Sequence, residues 1–101
     1  MGDTLYGSPA VINELKQQNR LFSAACEQIK LLNREIHALN ARYIRAQRDN
    51  NVAFLYSLRL RLETLDGVIV LFLEFAQRKT DIIDKIEEKL REENRRVSSW
   101  N

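Results

Sequence analysis

Proline and glycine are nearly missing from this sequence. There is one proline, Pro9, and two of the three glycines, Gly2 and Gly7, stand ahead of it, so only Gly67 interrupts the body of the chain. A sequence this short of backbone breakers has little material for a succession of turns. Cysteine is nearly absent as well. The single thiol, Cys26, excludes an intramolecular disulfide and gives the expectation of a reducing, intracellular compartment, cytoplasmic or nuclear. One cysteine and one histidine, His37, do not supply the ligand spacing of a metal site. No Ser/His/Asp set, phosphate-binding glycine loop or helical Glu-x-x-His pair is present, so neither a cofactor nor a metal is expected.

Long apolar runs are also lacking. Val68 to Phe75 is intensely apolar, but it is far shorter than the roughly 20 residues of a membrane span and Glu74 breaks it. The polar N-terminus has no apolar core of a signal peptide. Its Met-Gly opening does not complete an acylation motif, because Tyr6 stands where Ser or Thr is required. No sign of charge prevails: 16 Lys and Arg oppose 14 Asp and Glu, and a net charge of +2 does not by itself point to nucleic acid. The 101 residues suffice for one domain, and 45% apolar with 30% charged residues fits a folded, strongly patterned chain.

What fills the sequence is a pair of heptad seams. The first has Leu15, Phe22, Ile29, Ile36 and Tyr43 at a, with Val11, Ala25, Leu32, Leu39 and Ala46 at d. The second has Leu55, Leu62, Ile69, Ala76, Ile83, Leu90 and Val97 at a, with Leu58, Leu65, Phe72, Ile86 and Trp100 at d. Such a stripe is buried only against another helix. The expected fold is all-α, a long antiparallel helical hairpin or coiled coil. Residues 1–8 form a flexible lead, with Ser8 capping a helix that starts at Pro9. Helix 1 runs over about 9–48, the turn over 49–51 and helix 2 over about 52–96, with 97–101 frayed.

The turn is placed by Asp49-Asn50-Asn51, the one central cluster of poor helix formers. Heptad phase agrees: the first seam would put a at residue 50 and the second counts back to 48, a slip that is neither a stutter nor a stammer. Gly67 falls at the outward f position, where the pattern runs through it unbroken. Folding the chain at Asn50-Asn51 pairs the seams: Ala46 with Leu55, Tyr43 with Leu58, Leu39 with Leu62, Ile36 with Leu65, and so outward to Val11 with Leu90. Two layers are mixed, Phe22 with Lys79 and Gln18 with Ile83. Two unbroken helices crossing antiparallel as a swapped dimer would give the same pairing.

The flanks of this hairpin differ. The e positions, Asn19, Cys26, Asn33, Asn40 and Gln47 against Arg59, Asp66, Leu73, Thr80 and Glu87, are mostly polar. The g and c positions carry Leu21, Ala24, Leu31 and Ala38 on helix 1 and Phe54, Val68, Leu71, Phe75 and Ile82 on helix 2. Two helices need only a and d to pack, so this second stripe is surplus. Within the 101 residues no segment is left to cover it, and Leu21, Leu31, Phe54, Val68, Leu71, Phe75 and Ile82 are the expected partner-binding residues. A second copy making a homodimeric four-helix bundle is the first expectation, and a partner helix from another protein is the rival. Arg42, Arg45, Arg48, Arg59 and Arg61 gather near the turn. A solvated polar face is the plain reading of such a run; the functional one is a polyanion such as nucleic acid or an acidic surface.

Leu58-Arg59-Leu60-Arg61-Leu62-Glu63-Thr64-Leu65-Asp66, followed by Ile69 and Phe72-Leu73, resembles the first helix of the all-helical chorismate mutases. That family's pattern has an active-site arginine after the apolar run, where this chain has Ala76. The family's two further helices would have to follow residue 90. The expectation is therefore a non-enzymatic interaction module, a coiled-coil scaffold or adaptor or a subunit of a larger assembly.

Overall fold

The computed structural model describes residues 9–99. The expected flexible lead, the Ser8 cap and the d-position Trp100 lie outside them. The fold is all-helical: α1 spans Pro9–Arg48 and α2 spans Val52–Ser99, and the two long helices form a hairpin. Residues 97–99, expected to fray, continue α2. No glycine or proline stops the helix there, and Val97, at a, is half-buried.

Hydrogen bonds close the reversal between the helices at both sides. Asn50 has φ 54°, the left-handed region that L residues other than Asn and Asp rarely enter. The Asn51 N–H donates to the Ala46 carbonyl at 3.1 Å and the Asn50 N–H to the Gln47 carbonyl at 3.2 Å. This is the Schellman pattern, which satisfies two carbonyls that the end of α1 would otherwise leave open. The next residue starts the second helix. Asn51 Oδ1 accepts from the Phe54 N–H at 3.2 Å and the Asn51 carbonyl from the Leu55 N–H at 2.9 Å. Asn51 is thus the N-cap of α2. Arg45 and Arg48 in the last turn of α1 also suit the negative end of its dipole.

The chain divides into two compact units. The turn unit, Ala25–Phe75, holds the reversal. Its core is Leu39, Ala46 and Leu58, with Tyr43, Leu55, Leu62 and Leu65 packed against it. Every one of these is an a or d residue, drawn from both helices. Burying a leucine here contributes about 1.5–3 kcal/mol, far more than any single surface contact. Arg61 and Glu35 form an ion pair between the helices at 2.6 Å, both at g and both exposed enough that water screens it.

The terminal unit combines the described parts of Met1–Ala24 and Ala76–Asn101. Its most buried side chain is Leu90, 1% exposed, followed by Gln18, Ala76 and Ile83. Phe22 and Lys79 are both half-buried. Gln18, only 8% exposed, donates from Nε2 to Glu14 Oε1 at 2.6 Å, while its own Oε1 has no hydrogen-bond partner. An unsatisfied buried amide oxygen costs roughly 1–3 kcal/mol. A polar residue in a seam trades that cost for a fixed register.

Two outcomes are expected in urea unfolding followed by circular dichroism at 222 nm. Asn50→Ala loses about 1–2 kcal/mol because it forces an ordinary L residue into the left-handed turn, whereas Asn50→Gly stays within about 0.5 kcal/mol of the parent. Gln18→Leu gains about 1–2 kcal/mol; a loss would mean that the amide is satisfied and holds the layer together.

Candidate partner-binding surface

The seams leave a good deal of apolar surface unfilled, and the turn unit carries it. Among the described residues, the large hydrophobic side chains that remain exposed are Leu31, Ile44, Val52, Phe54, Tyr56, Leu60, Val70, Leu71 and Leu73, and all fall within Ala25–Phe75. In the terminal unit the described large hydrophobics are buried or half-buried, at a and d and also at Ile12, Leu21 and Ile82.

Of the partner-binding residues expected from sequence, Leu31, Phe54 and Leu71 are exposed, Leu71 at 65%. Val68 and Phe75, in the same unit, are half-buried at g, as are Leu21 and Ile82 in the terminal unit. Heptad position accounts for Leu31 and Leu71 but not for Phe54, which stands at g and is 44% exposed. A g side chain leans against the neighbouring helix at the edge of the seam, whereas a c side chain is turned about 40° further towards solvent. Leu71 and Leu31 occupy c.

The exposed surface also extends past the expected stripe. Val70 at b, Leu60 at f and Leu73 at e lie elsewhere around α2. Leu73 stands on the flank that otherwise reads as polar. The signal for Val70 and Leu73 is present in the sequence. From Val68 to Phe75 only Glu74 is polar, so this segment is apolar on every side, and a helix of that kind is ordinarily enclosed on every side.

The arginines near the turn separate into two sets. Arg42 and Arg45, with Ala46, Asp49, Asn51 and Phe54, line a groove beside the reversal. A second groove is lined by Glu35, Ala38, Leu39, Arg42, Phe54, Ser57, Leu58 and Arg61. The two share Arg42 and Phe54 and so adjoin as a trough along the turn end of the g/c flank. Leu39, Ala46 and Leu58 close it from beneath as hairpin core, 3–4% exposed, while the apolar side chains open to solvent are Ala38 and Phe54, with Arg42, Arg45 and Arg61 around them beside Glu35 and Asp49. Arg48 and Arg59 do not line it. Arg59 stands at e and pairs with Glu63 at 3.3 Å. Among the described residues no carboxylate lies within 4.0 Å of Arg42, Arg45 or Arg48.

Other chemistry-bearing groups are dispersed. Cys26 is half-buried and His37 is exposed. Among the described residues no group of three His, Cys, Asp or Glu is placed to hold a metal ion. No helix among them is long and apolar enough to cross a membrane. In the terminal unit, a hydrogen bond from Arg91 at 3.0 Å, then the charge of Arg91 and of Arg95, holds the Glu88 carboxyl below its ordinary value. This contribution is present above the ordinary carboxylate range and lost as pH falls through the lowered value, and full exposure keeps it small.

Set beside known protein families, curated proteins and solved structures, the chain matches none of them.

Proposed function

We propose that the protein is a non-enzymatic protein–protein interaction module, a coiled-coil scaffold or adaptor or a subunit of a larger assembly. It engages a second copy of itself, as a dimeric four-helix bundle, or a helix of another protein. One observation carries this reading: a hairpin whose seams are already filled still exposes Leu31, Phe54 and Leu71 along one flank. Fully burying a leucine or phenylalanine contributes about 1.5–3 kcal/mol, of which these side chains, 44–65% exposed, forgo roughly half. A docked helix supplies that burial, as in helical bundles and helix-in-groove recognition. The half-buried Val68 and Phe75 widen the contact.

A second reading, binding of a polyanion at the turn end, is favoured by Arg42 and Arg45 sharing one groove. The two readings differ in their response to salt. Contacts to phosphate weaken steeply as salt rises, and apolar docking does not.

Light scattering at micromolar concentration should report an assembly larger than one chain, or recruitment of a partner helix into one. The double variant Val68→Glu/Phe75→Glu should abolish the association and retain nearly all helicity. Loss of helicity instead would make these two residues hairpin core and remove the docking flank. For the polyanion reading, Arg45→Glu/Arg48→Glu should cut binding of a short oligonucleotide at least about tenfold at low salt. Salt-indifferent binding would rule that reading out.

A further inference from the structure

The interaction-module reading leaves the partner's chemistry open, and the trough at the turn end narrows it. We infer that this trough binds an acidic amphipathic helix, whose apolar residues pack on the exposed Phe54 and Ala38 and whose carboxylates pair with Arg42, Arg45 and Arg61.

Charge complementarity is the first argument. Residues 34–61 hold Arg34, Arg42, Arg45, Arg48, Arg59 and Arg61 against only Glu35 and Asp49, a net of +4 in a chain whose total is +2. The first turn of α2 contains no acidic residue, so the positive end of its dipole adds to the same region. Arg42 and Arg45 rim the trough on the α1 side and Arg61 on the α2 side. Arg61 uses one guanidinium nitrogen on Glu35 at 2.6 Å, and its remaining N–H groups can take a second carboxylate.

Phe54 selects a helix over a phosphate backbone. Phosphates need cations and gain nothing from an exposed aromatic ring, whereas Phe54, 44% exposed, is the kind of aromatic anchor that dominates docked-helix energetics. Glu35 and Asp49 also line the trough and disfavour a continuous run of anions, and Glu35 is already paired with Arg61. From Glu35 to Arg45 the trough extends roughly 15 Å along α1, about three turns of a bound helix.

Fluorescence anisotropy with a labelled amphipathic peptide, leucines at heptad a and d and glutamates elsewhere, tests the inference. A scrambled peptide of the same composition and a short oligonucleotide are the comparators. The intact peptide should bind with a micromolar Kd, at least about tenfold more tightly than the scrambled one. Arg42→Glu/Arg45→Glu should weaken it at least about tenfold, and Phe54→Ala about five- to tenfold. Arg34→Glu/Arg59→Glu, an equal charge change off the trough, should alter it less than about twofold. Equal binding of the scrambled peptide, indifference to Phe54→Ala, tighter binding of the oligonucleotide or no peptide binding would each overturn the inference. Because it rests on the module reading, light scattering on the same samples separates the two. A chain that self-associates but ignores the peptide loses only this inference. A chain that does neither loses both.

Discussion

Two adjacent asparagines turn the chain round, and the pairing of everything else follows from where they stand. Asn50 accepts the left-handed conformation that ends α1 and Asn51 caps the start of α2, so one dipeptide satisfies the backbone of both helix ends. This fixes phase as well as direction. A reversal one residue earlier or later would rotate the second heptad stripe by about 100° away from the first. The cluster of Leu39, Ala46 and Leu58 with Tyr43, Leu55, Leu62 and Leu65 requires the stripe where it is.

Beyond the seams and the half-buried g residues at their edge, apolar content remains that the hairpin leaves exposed. Its distribution is uneven: the large exposed hydrophobics lie in the turn unit, and so do the arginines of the trough. The terminal unit instead contains a polar layer around Gln18 and ion pairs among Glu88, Arg91 and Arg95. One half of the chain is built with surface to spare, and the other is nearly self-contained.

The a and d positions were legible because heptad period is a direct imprint of helix packing, and the buried residues of the turn unit fall on those positions. The turn was legible because Asn-Asn after Asp is weak in helices for a stated chemical reason. The exposed apolar surface was legible only in part. The g/c stripe predicted Leu31, Phe54 and Leu71, but two-helix reasoning treats b, e and f as solvent positions and passes over Leu60, Val70 and Leu73. The trough was less legible still. Arg42 and Arg61 are far apart in the chain, and nothing short of the antiparallel pairing brings them to one flank with Phe54, while Arg59, two residues from Arg61, faces away on the other.

Leu71 and Leu73 stand two residues apart on α2, and so about 200° apart around its axis. A single docked helix has one apolar stripe and shelters one of them, leaving its counterpart wet. Full enclosure of this segment would take contacts on opposing sides. Left uncovered, it is a sticky waist, the sort of surface that chaperones and proteases read as unfolded chain.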